Sequence, residues 1–457
     1  MVETMADDTT DPNKSHSGES ARSGVLQRSL PQTSPASAAF TQGGNLHEAD
    51  PVNLCVLLGH ILFKFGAGTQ RIRHSVEYLA RHLGCKVDML LNYDALIITL
   101  SDGATLRTRV ESSNRLAGLN LLGLVNVSRW LRALPDSPAN PAELARQLSA
   151  ISDTPPRHGV VTQTFAAGCA GAAFCIVNGG DPVSWVCSAA GSALLFATRR
   201  QFVGHKFNFY AALFISALVG SLFAGLLGGA LHTATQAVTL IAPVLFVVPG
   251  VPLITGGVDI VRNHVTVGLA RIGFTLGVLA ALSLGVSLTL PLLRSSSDSP
   301  FLVSGLSKFL LVSAAGALAS GALAWLNNGG PSLIALCAIG GLLGRLIRAI
   351  ANSNGLDIIS ASFIGVVCST LIVGVVAGRH RWPAIIATVM AALPMVPGYF
   401  AIDGLHSTLS FAAAAAPDPA RMAAGFQSLS RALFISVALI VGVLAPIILL
   451  QRDTERV

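Results

Sequence analysis

The sequence predicts an α-helical polytopic membrane protein with ten transmembrane helices, arranged as two inverted five-helix repeats and preceded by a small cytoplasmic α/β domain. Three observations predict this fold class. Of the 457 residues, 52% are hydrophobic and 12% are charged, whereas about a quarter of an ordinary soluble domain is charged. Only 19 of the 53 charged residues lie between 160 and 450. The apolar stretches of that region fall into two similar sets.

The first 50 residues predict a disordered tail, because they are rich in Ser, Thr, Pro, Gly and Asp and offer few large apolar side chains to a core. They contain no charged segment followed by an apolar stretch, so no secretory signal is expected. We therefore expect the N-terminus to stay in the cytoplasm.

Residues 51–157 predict the cytoplasmic α/β domain. The stretch TQRIRHSVEYLARHLG has apolar residues at helical spacing between Thr69, a candidate N-cap, and Gly84, a helix-ending glycine. KVDMLL, DALIITL and TLRTRV predict three strands. A further helix is expected over about 114–133, and LCVLLGHILFKFG is short for a bilayer span and predicts a helix of this domain.

Ten apolar stretches follow, and each predicts a membrane span. The first half, residues 158–295, contains five of them, at 160–178, 182–198, 208–229, 234–258 and 266–292. The second half, residues 296–451, contains the other five, at 301–326, 331–350, 357–377, 383–402 and 428–450. A short C-terminal tail, residues 452–457, follows the last span.

The two halves are similar in sequence. CAGAAFCIVNGGDPVSWVC aligns with ASGALAWLNNGGPSLIALC so that Asn178 matches Asn328, an offset of 150. VVPG (247–250) matches MVPG (395–398) at an offset of 148. Because five is an odd number of spans, the second half must cross the membrane in the opposite sense. Such an inverted repeat is typical of secondary transporters.

Positive charge supports a multi-pass inner-membrane protein with both termini in the cytoplasm. In this topology ten Arg and Lys residues lie at cytoplasmic ends and six at outer ends, as the positive-inside rule requires. The formal net charge of +7 is therefore a topology signal and not a nucleic-acid footprint.

The sequence contains no motif of a familiar enzyme or metal site. None of the five lysines follows a glycine, so there is no Walker A loop, and neither GxSxG nor HExxH occurs. The seven cysteines form no CxxC pair. We expect no catalytic residue, no metal and no cofactor, and the energy for transport would come from an ion gradient or from a partner protein.

Prolines and glycines predict a break in one span of each half. Pro243, Pro249 and Pro252 interrupt the first of these spans, and Pro394 and Pro397 interrupt the second. Paired broken helices at equivalent positions indicate a central substrate site. The candidate substrate-binding residues are Pro249, Gly250, Pro252, Thr255, Pro397 and Gly398. The alternative is a pair of packing kinks without ligand contact.

Asp259 and Arg271 are candidates for gating or proton coupling, since an intramembrane carboxylate near an arginine often belongs to a substrate or proton path. Asp403 is a weaker candidate of the same kind. Asp259 could equally be an ordinary residue of an interfacial loop.

These motifs resemble the threonine/serine exporter family, which includes two-component exporters of succinate type. GAGTQRI (66–72), with Gly66, Thr69 and Arg71, is similar to the signature of its cytoplasmic domain, and SNRLAGLNLLGLVNVSRWL to a later segment of it. VPGVPLITGGVDI followed by GLAR resembles its membrane motif, and MVPGYF resembles the motif of its second half.

The resemblance implies a proton-driven exporter of a small polar metabolite, with threonine or serine as the expected substrate and a dicarboxylate as the alternative. The partners would be this small molecule, the proton and the lipid bilayer; no nucleic acid is expected, and a homo-oligomer is compatible with the sequence.

Two other classes of protein remain open at this stage. The α/β domain could be a membrane-anchored enzyme that uses His60, His74 or His82 with Asp88 or Asp94. The membrane part could instead be a passive channel or an assembly scaffold. Ten spans with an internal repeat exceed what an anchor needs.

Overall fold

The computed structural model describes residues 50–92, 95–112, 118–135, 140–204, 207–293, 305–380, 382–414 and 418–454. The predicted disordered tail lies outside these residues, apart from Asp50.

The N-terminal segment, residues 50–153, combines four helices with a small sheet. Its elements are α1 (Pro51–Lys64), α2 (Thr69–His82), β1 (Lys86–Leu91), β2 (Ala95–Ser101), β3 (Leu106–Ser112), α3 (Leu121–Arg132) and α4 (Pro141–Asp153). The strands form an antiparallel sheet in the order β1-β2-β3. The three strands and the short helix before Thr69 are therefore as the sequence predicts. The prediction of Thr69 as an N-cap is wrong, because Gly68 holds that position and α2 begins at Thr69 itself.

The sheet packs one face of its central strand against α1. Leu96, Ile98 and Leu100 alternate along β2 and are buried, which is the period expected of a half-buried strand. A Cβ at Gly59 of α1 would lie 2.4 Å from the Leu96 side chain. The glycine therefore leaves room for the Leu96 side chain, which would have to change its position if a larger residue replaced Gly59.

The membrane part consists of helices α5 to α16. The first half contains α5 (Val160–Val177), α6 (Pro182–Gly204), α7 (Phe209–Ala230), α8 (Gln236–Ile241), α9 (Gly250–Val261) and α10 (Val265–Leu293). The second half contains α11 (Gly305–Leu326), α12 (Pro331–Ser353), α13 (Ile358–Arg379), α14 (Ala384–Ala392), α15 (Gly398–Ala413) and α16 (Pro419–Thr454). Helix α16 extends to Thr454, into the predicted C-terminal tail.

The described residues of each half contain one broken span. A 3-10 turn, Ala242–Val247, follows α8, and α9 then begins at Gly250 with a bend of 57°. In the second half Leu393–Met395 follows α14, and α15 begins at Gly398 with a bend of 50°. Proline causes both breaks, because it removes a backbone donor and clashes with the preceding turn.

The described residues contain seven continuous helices that are long and apolar enough to cross a membrane, or nine candidate spans if each bent pair counts as one. The prediction of ten spans is therefore met only in part. The remaining helix, α6, has 23 residues. It is less apolar because it contains several serines and carries Arg199 and Arg200 near its end.

The two halves have corresponding turns, and the offset between these turns differs by one residue from the offset in the sequence alignment. Asn178 and Asn327 each end a helix and donate from Nδ2 to the carbonyl four residues earlier. Gly179 and Asn328 then adopt a left-handed conformation, with φ of 82° and 63°. The structural offset is thus 149, and the alignment of Asn178 with Asn328 is wrong by one position.

The start of α5 adjoins the end of α11. The Arg157 N–H donates to Asn328 Oδ1 at 2.8 Å, and His158 Nε2 lies 2.9 Å from the Gly329 carbonyl. These corresponding helices also pack along each other. They therefore run in opposite directions.

Candidate functional site

A cavity of about 720 Å³ lies between the two breaks. The six candidate substrate-binding residues all line it, namely Pro249, Gly250, Pro252, Thr255, Pro397 and Gly398. The structure therefore brings together two motifs that are separated by almost 150 positions in the chain. A cavity of this size lies within the usual range for small-molecule sites.

The two breaks pack against each other beside the cavity. A Cβ at Gly250 would lie 2.7 Å from Leu393 Cδ2 and 3.1 Å from a methyl group of Val396. A Cβ at Gly398 would lie 3.2 Å from a methyl group of Val248. Each break thus packs against the residues just before the other break.

Both half-helices that begin at a break present their N-terminal ends to the cavity. Gly250 and Val251 of α9 line it, as do Gly398 and Tyr399 of α15. A helix N-terminus has unpaired N–H groups and a partial positive charge, so it favours an anionic ligand group.

The cavity lining is rich in positive charge. Among the described residues that line it there is no Asp or Glu, and there are five basic side chains, Arg199, Arg271, Lys308, Arg345 and Arg348. Lys308 is exposed, whereas the four arginines are buried or half-buried. Because a buried charge is costly without a partner, this balance favours a ligand that carries negative charge.

Arg271 has a partner just outside the cavity lining. Its Nη1 lies 2.9 Å from Asp259 Oδ2, with the two side chains only 9% and 3% exposed. Thr69 Oγ1 donates to the same carboxylate oxygen at 3.1 Å, and Arg271 Nη2 donates to the Ala67 carbonyl at 3.0 Å. Residues of the N-terminal segment therefore complete the hydrogen bonds of this buried ion pair.

The loop between α1 and α2 reaches the ion pair through a tight turn. Gly66 has a φ of 79° and lines the cavity. Residues with a side chain rarely adopt this conformation. The turn at Gly66 places Ala67 and Thr69 against Asp259 and Arg271.

A second contact joins the N-terminal segment to the other half of the membrane part. Asn328 Nδ2 donates to Asn120 Oδ1 at 2.9 Å, and the Leu121 N–H donates to the Asn327 carbonyl at 2.9 Å. Phe63, Gly66 and Leu119 of the segment also line the cavity. The N-terminal segment thus closes part of the cavity and contacts both halves.

Comparison with known proteins assigns the chain to a family. The ThrE model of threonine/serine exporters matches residues 53–293, which is more than half of the chain. The chain belongs to the threonine/serine exporter family. A second model, "Threonine/Serine exporter, ThrE", matches residues 311–449 of the exporter. The resemblance inferred from the sequence motifs is confirmed, and the protein is a multi-pass membrane exporter.

Two curated relatives of the exporter carry the name "Probable succinate transporter subunit YjjP". The one from Klebsiella aerogenes is 25% identical over 226 residues, which is 48% of this chain and 84% of the relative. The one from Escherichia coli K12 is 24% identical over 224 residues, which is 48% of this chain and 85% of the relative. No solved structure matches the exporter significantly.

Two further predicted site residues lie away from the cavity lining. Arg71 packs within the N-terminal segment of the exporter, where its guanidinium donates to Ser128 Oγ. Burial, assisted by the nearby Arg132, lowers the pKa of Arg71 to about 10, so the side chain remains charged at neutral pH. Asp403, on α15, accepts a hydrogen bond from Ser428 Oγ at 2.9 Å.

Sequence reasoning missed the basic side chains of the cavity apart from Arg271. For the other four, the sequence pattern indicates only a contribution to membrane topology; they are Arg199, Lys308, Arg345 and Arg348. One signal could have found two of them, because Arg199 and Arg348 are separated by the structural offset of 149. This spacing can be recognised only once the turns of the structure show that equivalent positions of the two halves are 149 residues apart.

The carboxylate that lies beside His60 in the structure is that of Glu111, which is not among the residues proposed for an anchored enzyme. His60 Nδ1 lies 3.8 Å from Glu111 Oε1, while Asp88 stands on β1 opposite Thr99 of β2. Asp94 lies outside the described residues. No group of three or more His, Cys, Asp or Glu side chains that could hold a metal occurs in the described part of the exporter.

The hydroxyl of Thr69 allows a test of the contact between the N-terminal segment and the ion pair. We expect Thr69→Val to reduce export severalfold, because the buried Asp259 loses one of its donors and a bond to a charged group contributes about 1.5–3 kcal/mol. The measurement is export from loaded vesicles, normalised to the amount of folded protein. Thr154→Val is the matched control, since the Thr154 hydroxyl bonds only locally to Ala150 in an exposed position. Wild-type export by the Thr69 variant would show that the contact is dispensable.

Proposed function

We propose that this exporter is a secondary transporter that moves a small dicarboxylate through the cavity between the two breaks, driven by the proton motive force. The observation that carries the substrate class is the cavity lining, which has five basic side chains and, among the described residues, no acidic one. After Asp259 neutralises Arg271, four positive charges remain.

The two half-helix N-termini add to the same preference. They present partial positive charge to the cavity at Gly250 and Gly398, as in transporters whose broken helices bind a substrate carboxylate. The name of the curated relatives, succinate transporter subunit, supports a dicarboxylate.

Threonine or serine is the second candidate, supported by the description of the matching family. These amino acids carry one carboxylate and one ammonium group. The carboxylate would suit the basic side chains, and the ammonium group would need carbonyl oxygens freed at the breaks. The excess of positive charge makes a dianion the better match to the cavity.

The proposed architecture is ten spans arranged as two inverted repeats of five, in the inner membrane with both termini in the cytoplasm. The opposite directions of α5 and α11 support the inversion, and α6 would be the tenth span. The N-terminal segment would then be a cytoplasmic α/β domain that closes one side of the cavity.

In the proposed cycle the two halves rock in alternation around the facing breaks. Asp259 and Arg271 act as a gate or as a proton-coupled pair, since protonation of Asp259 would free Arg271 and weaken the contact with Thr69. Asp403 would belong to the same function in the second half, although its partner is Ser428 and not an arginine.

Export from loaded proteoliposomes tests this function. Vesicles are loaded with labelled succinate, L-threonine or L-serine, with and without an imposed pH gradient. We expect saturable succinate export that the pH gradient accelerates. Export of threonine and serine alone would favour the second candidate, and counterflow that does not saturate would indicate a channel. Absence of movement for all three compounds would contradict the transport function.

A further inference from the structure

Helices α6 and α12 correspond residue by residue. Both have 23 residues, and their first residues, Pro182 and Pro331, differ by the same offset of 149 as the preceding turns. The correspondence extends to packing. A Cβ at Gly191 would lie 2.6 Å from the Gly220 carbonyl of α7 and 3.1 Å from Pro243 Cγ of the first broken span. A Cβ at the equivalent Gly340 would lie 2.5 Å from Ala391 Cβ of the second broken span. Both glycines therefore allow a close helix approach beside the broken span of their own half.

This register places Arg199 of α6 and Arg348 of α12 at equivalent positions. Both arginines line the cavity between the breaks. Arg348 Nη1 donates to the Met395 carbonyl at 3.4 Å, just before the second break, and the Arg199 guanidinium lies 5.8 Å from the centre of the Phe209 ring. Within the described residues, neither arginine forms an ion pair with a carboxylate.

Arg345 lies one turn before Arg348 on the same face of α12 and also lines the cavity. It is only 8% exposed, and its buried Nε has no hydrogen-bond partner among the described residues. Its Nη2 makes one long bond, 3.3 Å, to the Val177 carbonyl. A buried donor of a charged group is costly to leave without an acceptor. The Arg345 Nε is such a donor, and Arg345 lines the cavity.

These three arginines differ from Arg271, whose charge is balanced by Asp259. A guanidinium presents a planar fork of donors that matches a carboxylate. A carboxylate from the substrate would therefore supply the partner that the described protein residues do not.

We propose that Arg199 and Arg348 are repeat-related contacts for substrate carboxylates, one in each half, and that Arg345 is a second donor beside Arg348. The inference rests on the proposed function for the statement that the ligand is the transported substrate. The anion site itself depends only on the cavity, the register of the two helices and the unpaired Nε of Arg345.

Binding and transport measurements on purified full-length protein test the proposal. Equilibrium binding of labelled succinate, L-threonine and the monoanion butyrate is measured in detergent, and counterflow is measured in proteoliposomes. We expect Arg199→Gln and Arg348→Gln each to weaken succinate binding about tenfold or more. Arg199→Lys and Arg348→Lys should restore part of the affinity, because lysine keeps the charge and loses the fork. Butyrate, with one carboxylate, should bind weakly to the wild type.

Arg200→Gln is the matched control, because Arg200 neighbours Arg199 in α6, is exposed and lies outside the cavity lining. It should bind succinate within twofold of the wild type. Gel-filtration profiles and thermal unfolding confirm that each variant is folded, and the lysine variants separate a lost contact from a lost fold.

The outcomes separate this inference from the proposed function. If the wild type transports succinate and both glutamine variants bind it within twofold of the wild type, the inference is wrong and the function stands. If the wild type binds succinate through these arginines without transporting it, the inference stands and the function is wrong. If only threonine binds, the same variants are tested with threonine, whose carboxylate should show the same dependence. No binding of any of the three compounds overturns both.

Discussion

Replacing Asp259 by asparagine should abolish export while the protein remains in the membrane. The substitution keeps the shape of the side chain and removes the charge that balances Arg271 at 2.9 Å. Breaking one partner of a buried ion pair costs about 3–5 kcal/mol, so the amount of folded protein should also fall. The measurements are export from loaded vesicles and the thermal unfolding temperature of the purified variant.

The double variant Asp259→Asn, Arg271→Gln should recover much of the stability, because it leaves no unpaired buried charge, and it should still fail to export. Asp357→Asn is the matched control, since Asp357 only caps α13 through the N–H groups of Ile359 and Ser360 and asparagine caps equally well. Unchanged export by the Asp259 single variant would exclude a role for its charge in gating or proton coupling.

Gly341→Ala should separate α11 from α12 and destabilise the second half. An alanine Cβ at this position would lie 2.3 Å from the Gly316 carbonyl and 2.4 Å from Ser320 Oγ. A backbone carbonyl cannot rotate away as a side chain can, so the helices must move apart. Such overpacking costs about 1–3 kcal/mol. Ser320 also donates to the Met390 carbonyl of the second broken span at 3.1 Å, so export should fall together with the unfolding temperature.

Gly273→Ala in α10 is the control for this prediction. A Cβ at Gly273 would have no neighbour within 4 Å, and alanine favours a helix over glycine by about 1 kcal/mol. The control should therefore unfold at the same temperature as the wild type or slightly above it. If both alanine variants unfold alike, the α11–α12 contact does not limit stability.

The features that local chemistry encodes were predictable from the sequence. A proline has no backbone N–H in any structural context, so the two breaks follow directly from the presence of Pro249 and Pro397. The alternation of Leu96, Ile98 and Leu100 likewise indicates a half-buried strand without reference to its neighbours. The pairing of Asp259 with Arg271 agrees with the expectation from their charges and proximity in the chain.

The features that depend on distant contacts were not predictable. The letters Asn-Gly-Gly align at an offset of 150, but the turn in the second half uses Asn328 where the first uses Gly179. Asn328 tolerates this conformation because both ends of its amide are bonded, to Asn120 and to the Arg157 N–H. A partner 208 positions earlier leaves no local signal in the sequence. The basic lining of the cavity was hidden for the same reason.

The N-terminal segment contacts both halves, so binding to this segment can be linked to the equilibrium between different arrangements of the halves. Thr69 and Ala67 bond to the first half, and Asn120 and Leu121 bond to the turn at Asn327 and Asn328 of the second. Any change in the relative position of the halves must break one set of bonds or deform the segment between them. The second set consists of two bonds between uncharged groups. With about 0.5–1.5 kcal/mol net for each, this set alone shifts the population of the observed arrangement by roughly five- to 150-fold. A ligand that binds this segment more tightly in one arrangement of the halves than in the other therefore shifts this population and, by linkage, the affinity of the cavity for its own ligand.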